Sequence, residues 1–335
     1  MFFRLRRPIR IYEITSRKKK SALALASPAD FVLRRLRSEN AAPKDWPGIA
    51  YCISVARRRL FLTGGGNPES LLEAPFLYIA QFEAAERVTT IPFARLQEMD
   101  LRGPERPVFI FSPGRCGSTL LATLLKAAGA RVLSEPDFFT QLATLRKDRR
   151  FRTNPQLVPH LIRSAMASFR AQWGDDLVLK LRGRCNVIAE DIARQFPTAL
   201  FVVMLRDRTD WVRSHYGAFG GKPDALAKTY ARAIETLDKI SSVGTKPLVI
   251  RYEDLRASPR ETVRRLQSAG VPLNPDFESA IAPILQRDSQ TDTPLAKSGR
   301  TQRPISPEWL AAFERAWQRI RPDTLLERHD LEGLR

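Results

Sequence analysis

Cysteine and histidine are scarce in this chain, with only three of each among its 335 residues. The cysteines, Cys52, Cys116 and Cys185, are odd in number, lie far apart and include no CxxC pair. This spacing excludes a disulfide framework and differs from that of a zinc site. The histidines are also isolated from one another, which argues against a metal centre. We therefore expect no metal and a reducing compartment.

Long hydrophobic runs are missing as well. No segment of about 18 apolar residues, the length needed to cross a bilayer, occurs in the sequence. The basic start of the chain is followed by an apolar run from Ala22 to Ala26, which is shorter than an export signal requires. We therefore predict a cytoplasmic protein.

Acidic residues are in deficit, since 36 Asp and Glu face 55 Lys and Arg, a formal net charge of +19. Of the basic residues 43 are Arg, whose planar fork suits phosphate or sulfate oxygens, although a G+C-rich coding bias also produces arginine. Residues 1–37 hold 11 basic and 2 acidic side chains, which predicts a basic arm with weak contact to an anionic surface. No specific nucleic-acid partner is expected, because no DNA- or RNA-reading motif accompanies the arm.

From residue 105 onward, short apolar runs alternate with amphipathic stretches of helical period. This alternation predicts an α/β fold with a parallel sheet of about five strands flanked by helices. The apolar runs are nearly continuous, as is typical of strands buried on both faces. The predicted strands cover Val108 to Phe111, Ala130 to Leu133, Leu177 to Leu181, Leu200 to Leu205 and Leu248 to Tyr252.

Residues 38–104 have a different pattern and predict an α+β extension of unknown role before the α/β domain at residues 105–335. Residues 51–55 and 59–63 predict two paired strands ahead of a run of three glycines. The periodicity then predicts a helix from Leu71 to Arg87.

The C-terminal part of the chain predicts three further helices. Ser258 and Glu261 have the spacing of a capping box, and the helix that they start ends before Gly270. The other two helices cover residues 276–286 and 306–320.

The most informative segment runs from Pro107 to Gly129, PVFIFSPGRCGSTLLATLLKAAG. A buried strand leads into a tight turn of small residues, and a helix of about three turns follows at once. The backbone N–H groups of such a turn converge on one point, with the positive end of the helix dipole behind them. The segment therefore predicts an anion site.

The loop is similar to the end of a P-loop, GxxxxGK[ST], but Ser112 replaces the first glycine of the motif and Ser118 replaces the lysine. In ATPases and GTPases that lysine reaches the β and γ phosphates, and Mg²⁺ is held by the Ser/Thr and a carboxylate. Here Arg115, two residues before Gly117, and the hydroxyls of Ser118 and Thr119 suit an anion of lower charge that is bound without metal.

Two other kinds of loop are excluded around Cys116. A cysteine phosphatase needs an arginine six residues after its cysteine, where this chain has Ala122, and a nucleophile elbow needs GxSxG. The position near a helix N-terminus is one that lowers the pKa of a thiol. The simpler interpretation, that Cys116 is a small side chain filling the loop, is favoured.

The segment SPGRCGSTLL resembles the 5′-phosphosulfate loop of sulfotransferases that use 3′-phosphoadenosine 5′-phosphosulfate (PAPS). Their loop has a basic residue two positions before a glycine and two hydroxyl residues after it. Arg206 and Ser214, eight residues apart, resemble the 3′-phosphate motif of the family. The segment LVIRYEDLRASPRETVRRL is similar to its late strand and helix, with Glu253 or Asp254 expected to fix a turn. The resemblance covers about residues 105–320.

This resemblance implies a P-loop NTPase-like fold with PAPS as donor co-substrate and no metal. The sulfuryl group would pass to a hydroxyl or amine of an unidentified acceptor, which is a small molecule, a carbohydrate or a lipid. Arg206 also has a purely structural interpretation, as the ion-pair partner of Asp207 or Asp210. The matched donor-binding positions are Gly114, Arg115, Cys116, Gly117, Ser118, Thr119, Arg206 and Ser214.

Three residues are predicted to be catalytic. Arg115 would stabilise the leaving phosphate, and Lys180, at the end of the third predicted strand, either reaches the bridging oxygen or caps the sheet edge in solvent. Glu135 follows the second predicted strand, as in carbohydrate-type and bacterial members of the family, and is our predicted base. The Lys-Thr-His run of other members is absent, and His215 is the alternative base.

Two other functions stay open at this stage. One is a nucleotide phosphotransferase with a degenerate P-loop, in which Asp207 or Asp254 would hold Mg²⁺. The other is a basic protein that binds nucleic acid or a membrane surface through residues 1–37. The polar segment around Lys297 and Arg300 predicts a mobile loop that contacts the donor.

Overall fold

The computed structural model describes residues 7–21, 24–146, 148, 154, 156–286, 303–320, 323–329 and 331. Its strands are β1 (Ile9–Arg17), β2 (Phe31–Glu39), β3 (Ile49–Ser54), β4 (Arg59–Gly64), β5 (Arg87–Pro92), β6 (Val108–Phe111), β7 (Arg131–Ser134), β8 (Leu177–Lys180), β9 (Leu200–Leu205) and β10 (Leu248–Arg251).

The helices alternate with these strands from residue 68 onward. They are α1 (Pro68–Glu73), α2 (Leu77–Ala84), α3 (Ser118–Ala127), α4 (Asp137–Leu145), α5 (Leu157–Trp173), α6 (Ala189–Gln195), α7 (Arg208–Phe219), α8 (Pro223–Ser241), α9 (Tyr252–Ala257), α10 (Pro259–Ser268), α11 (Phe277–Ile281), α12 (Pro307–Ile320) and α13 (Asp323–Arg328). None of the helices among the described residues is long and apolar enough to cross a membrane.

The strands form two sheets of five. The first has the order β2-β1-β5-β4-β3 and the second the order β10-β9-β6-β8-β7. In the second sheet β9 runs parallel to both β6 and β10, with Ile110 opposite Val202 and Ile250 opposite Met204. All residues of β6 are buried, and the ring of Phe109 stacks on that of Phe201. The predicted α/β fold with a five-stranded sheet and flanking helices is confirmed.

Internal contacts divide the chain into two units. The first unit comprises residues 1–107 and 131–179, and the second comprises residues 108–130 and 180–335. The second unit holds β6, the loop that follows it, α3 and the chain from residue 180 onward.

The first unit contains the antiparallel sheet β1 to β5. Two of its strands, β1 and β2, come from the segment that we predicted as a basic arm. The arginines of β2 lie on an exposed edge strand, where long charged side chains are tolerated. Ile14 and Leu33, which pair across β1 and β2, pack against the buried core instead. Five of the eleven basic residues of this segment therefore belong to a folded sheet, namely Arg10 and Arg17 of β1 and Arg34, Arg35 and Arg37 of β2.

The predicted pairing of residues 51–55 with 59–63 is confirmed by β3 and β4. The predicted helix from Leu71 to Arg87 is wrong, because α1 ends at Glu73, α2 begins at Leu77 and the chain then enters β5. Pro75 lies between the two helices, and proline disfavours a helical conformation in the residue before it. The β-branched residues of β5 indicate a strand that the helical pattern concealed.

The sequence predicts the N-termini of two helices in the second unit, and the structure agrees with only one of the two predicted helix starts. Ser258 makes no side-chain capping bond at the start of α10, so the capping box predicted there is wrong. The helix predicted at residues 306–320 is confirmed as α12, with the Ser306 hydroxyl accepting a hydrogen bond from the backbone N–H of Trp309. The predicted loop around Lys297 and Arg300 lies outside the described residues.

Candidate functional site

The loop between β6 and α3 has the backbone of an anion cradle. Three of its residues have positive φ, namely Gly114 at 78°, Arg115 at 58° and Gly117 at 76°. Left-handed residues placed among right-handed ones turn successive N–H groups toward a common point. Since α3 begins at Ser118, directly after the loop, the positive end of a ten-residue helix adds to the attraction for an anion.

Buried side chains from other parts of the second unit hold this loop. The indole Nε1 of Trp211 donates to the carbonyl oxygen of Gly114 at 2.7 Å, and the amide of Asn186 donates to the carbonyl oxygen of Ser112 at 3.2 Å. The Ser112 hydroxyl accepts from the backbone N–H of Gly114 at 3.2 Å. The cradle is therefore fixed before any ligand arrives, which lowers the entropic cost of binding.

Lys180 lies against the first turn of α3. Its side-chain amino group is 3.4 Å from the hydroxyl oxygen of Thr119, and the residue is only 3% exposed. Lys180 therefore does not cap the sheet edge in solvent, which was the structural interpretation of this residue. It supplies a positive charge beside the hydroxyl that ends the loop motif.

Arg115 is one of three non-glycine residues with positive φ among the described residues, with Arg58 and Glu135. A left-handed conformation costs a residue with a Cβ about 1–2 kcal/mol. Strain of this kind persists where surrounding contacts impose it, and it is frequent at functional sites. Here the Arg115 Nε donates to the hydroxyl oxygen of Ser214 on α7 at 3.3 Å, which joins the loop to the second motif.

Arg206, at the end of β9, reaches the same loop. Its Nη1 donates to the carbonyl oxygen of Arg115 at 3.4 Å, and its guanidinium lies 4.5 Å from the ring centroid of Tyr252. Asp210 approaches Nη2 only to 3.9 Å and is itself largely exposed, so this ion pair is weak. The Nε of Arg206 is buried and has no hydrogen-bond partner within the part of the chain that the structure describes. Such a donor costs about 1–3 kcal/mol unless a ligand satisfies it.

Three supporting residues were missed or only partly foreseen in the sequence. Tyr252 packs so closely on the loop that a Cβ added at Gly117 would lie 2.5 Å from its Cδ2. The hydroxyl of Tyr230 donates to the carbonyl oxygen of Arg206, and the Glu253 carboxylate accepts from the backbone N–H of Asp207 at 3.0 Å. The sequence signal that could have found Tyr252 is its position directly after β10, because the carboxyl ends of parallel strands share one edge of the sheet.

Cys116 and His215 are both largely withdrawn from water. Burial raises the pKa of the Cys116 thiol, contrary to the lowering that a helix N-terminus favours, and its sulfur lies 3.4 Å from the carbonyl oxygen of Gly114. Burial and the charge of Arg115 lower the pKa of His215 to about 4. The protonated, buried thiol of Cys116 therefore fills space in the loop. The imidazole of His215, with so low a pKa, is a weak general base near neutral pH.

Glu135 belongs to the first unit and follows β7 directly. It has a φ of 55° and precedes Pro136, a combination that backbone sterics disfavour. Its role as the base stays a prediction.

Among the described residues, no group of three or more His, Cys, Asp and Glu side chains is arranged to hold a metal ion.

Comparison with known proteins adds a resemblance among solved structures. No family model and no curated protein matches the chain. Sulfotransferase STF9 from Mycobacterium avium is 13% identical over 71% of this chain and 80% of that chain, with a TM-score of 0.42. The sulfotransferase domain of the Synechococcus PCC 7002 olefin synthase is 14% identical over 66% and 96%, with a TM-score of 0.37. Mouse sulfotransferase SULT7A1, complexed with PAP, is 14% identical over 70% and 88%, with a TM-score of 0.38. These three chains are sulfotransferases, the family that the loop sequence resembles.

Proposed function

We propose that this protein is a sulfotransferase that moves a sulfuryl group from PAPS to a hydroxyl or amine of an acceptor. The observation that carries the proposal is Arg206, whose buried Nε has no partner among the described residues while its Nη1 contacts the anion loop. A guanidinium held in this way satisfies its remaining donors best with phosphate oxygens. The proposed acceptor is a carbohydrate, a lipid or a small molecule.

The two motifs suit the two anionic ends of PAPS. The backbone N–H groups from Gly114 to Thr119 would hold the 5′-phosphosulfate, and Arg206 with Ser214 would hold the 3′-phosphate. Arg206 contacts the carbonyl oxygen of Arg115, and Arg115 contacts the hydroxyl of Ser214. The two anchors are therefore adjacent, which suits two phosphates carried on one ribose.

In the proposed reaction the acceptor oxygen or nitrogen attacks the sulfur of PAPS. A new bond to sulfur forms as the bond between sulfur and the bridging oxygen breaks, and adenosine 3′,5′-bisphosphate (PAP) leaves with the electron pair. Arg115 and Lys180 would stabilise the negative charge that develops on the leaving phosphate. Glu135 is our predicted acceptor of the proton. In-line transfer of this kind depends on positioning and electrostatics.

One contact supports a second candidate function, transfer of a phosphoryl group from a nucleoside triphosphate. Ser118 stands where a P-loop has lysine, but the amino group of Lys180 lies 3.4 Å from the Thr119 hydroxyl and supplies a lysine from another strand. This function also needs a carboxylate for Mg²⁺. Asp207, one of the two carboxylates predicted to hold Mg²⁺, accepts a hydrogen bond from the backbone N–H of Asp210 as the N-cap of α7. Because this carboxylate already caps a helix, the observation favours the sulfotransferase.

Thermal unfolding with nucleotides separates the two functions. A ligand at 100 times its Kd stabilises a protein by about 2.7 kcal/mol. PAP should raise the Tm equally in EDTA and in Mg²⁺, and ATP with Mg²⁺ should raise it little. A Tm that rises only with ATP and Mg²⁺ would establish the second function, and no response to either nucleotide would refute both.

A further inference from the structure

Three arginines gather at one end of the antiparallel sheet in the first unit. Arg10 of β1 is directly opposite Thr90 of β5, and the Nε of Arg59 at the start of β4 donates to the hydroxyl of Thr90 at 2.8 Å. Arg7 precedes β1 and contributes its charge to Arg59. We call Arg7, Arg10 and Arg59 the arginine cluster.

Arg59 is the buried centre of this cluster. It is 5% exposed, and its Nη2 donates to the carbonyl oxygens of Pro8 at 2.6 Å and of Thr90 at 2.8 Å. Its hydrogen-bond partners among the described residues are thus neutral oxygens, with no carboxylate. Burial and the charges of Arg10 and Arg7 lower the pKa of Arg59 to about 10. The guanidinium is therefore held in an environment of uncompensated positive charge.

Arg10 provides an unpaired donor at the same place. Its Nε is buried and has no hydrogen-bond partner among the described residues. The acids of these strands are committed elsewhere, since Glu13 pairs with Arg34 and Glu39 pairs with Arg37. A buried donor without a partner calls for an explanation, and a bound anion is one explanation that suits a cluster of positive charge.

We propose that the arginine cluster is a binding site for a tetrahedral oxyanion, a phosphate or sulfate group. The planar forks of several guanidiniums match the oxygens of such a group, and the anion would relieve their mutual repulsion. Arg59 would be fixed in place by Thr90, Arg10 would supply its free Nε, and the exposed Arg7 would close over the anion. This site is independent of the proposed transfer reaction.

Amide hydrogen exchange of the full-length protein tests the site, because it reports position along the chain. Inorganic phosphate, added at constant ionic strength, should slow exchange in peptides that cover residues 8–12 and 57–62. In Arg10→Gln the concentration needed for this protection should rise at least about tenfold, the effect of losing one charge-assisted contact. Arg34→Gln removes a charge from β2 that already has a partner, and should leave the response unchanged.

Two outcomes would overturn the proposal. One is an Arg10→Gln chain that responds to phosphate as the wild type does, and the other is an equal loss in Arg34→Gln, which would indicate general surface charge. Arg7→Gln, at an exposed position, gives a second variant whose folding is not at risk, and it should weaken the response as well. Glycerol 2-phosphate distinguishes a free ion from a phosphate carried on a larger molecule. Protection from exchange equal to that given by inorganic phosphate indicates a phosphate on a larger molecule, and no protection indicates a free ion.

Discussion

The guanidinium of Arg206 stacks on the ring of Tyr252, 4.5 Å from its centroid, and the same ring closes against Gly117 of the anion loop. One aromatic side chain therefore sets the position of both halves of the candidate site. Tyr252 starts α9 at the end of β10, and Arg206 ends β9, which runs parallel to β10. The parallel pairing of these two strands is what brings the residues together.

Arg206→Gln should weaken the binding of PAP. The variant loses a charge-assisted contact worth about 1.5–3 kcal/mol, which corresponds to a rise in Kd of about 10- to 100-fold. Isothermal titration calorimetry measures the change directly. Arg213→Gln is the matched control, because Arg213 is exposed on α7. Equal affinities in wild type and Arg206→Gln would remove Arg206 from the site.

Gly117→Ala should damage the loop more than Gly114→Ala. Both positions have positive φ, so each alanine pays the left-handed penalty of about 1–2 kcal/mol. Only at Gly117 does an added Cβ meet the Tyr252 ring, at 2.5 Å, whereas at Gly114 nothing lies within 4 Å. We expect a larger fall in both Tm and PAP affinity for Gly117→Ala. Indistinguishable variants would show that Tyr252 does not confine the loop.

Local sequence was sufficient to predict β6, the loop and α3, because a short apolar run, a glycine-rich turn and an amphipathic helix follow one another directly. The eight-residue spacing of Arg206 and Ser214 was also visible. The contact of Tyr252 with Gly117 was not, because it depends on which strands become neighbours in the sheet. Nothing in the residues around Tyr252 specifies that β10 pairs with β9.

The strands β1 and β2 were concealed by their charge. Arg34, Arg35 and Arg37 lie close together in β2 and predicted a solvated arm, yet an edge strand leaves such side chains in water while its backbone pairs with β1. The arginine cluster was hidden for a related reason, because Arg10 and Arg59 are 49 positions apart in the sequence. Only the pairing of β1 and β4 with β5 brings them to Thr90.

His215 should make the protein less stable as the pH falls from about 6.5 to about 4. Its pKa in the folded state is about 4, below the ordinary 6.5, because of burial and the charge of Arg115. The unfolded chain thus binds more protons in this window, and the free energy of unfolding falls as pH decreases, by about 1–3 kcal/mol. Denaturant unfolding at pH 7 and pH 4 should show a smaller difference for His215→Phe, which keeps an aromatic ring between Trp211 and Phe219.

Nuclear magnetic resonance checks the same property without unfolding. The chain has three histidines, and the His215→Phe spectrum assigns the missing imidazole signal to His215. That signal should keep its neutral chemical shift until the pH approaches 4. A titration midpoint near 6.5 would contradict the burial of this side chain beside Arg115.

Glu135→Gln should lower turnover and leave PAP binding unchanged. A general base contributes about 10²–10⁴-fold to a rate, and glutamine keeps the size of the side chain while losing its basicity. Transfer of label from radiolabelled PAPS to acceptors in a cell extract measures the rate, and calorimetry with PAP measures binding. Glu83→Gln, an exposed position on α2 of the same unit, is the control. If Glu135 is the base, the acidic limb of the pH–rate profile also disappears in Glu135→Gln, whereas wild-type turnover or a parallel loss of PAP binding would show that its role is not catalytic.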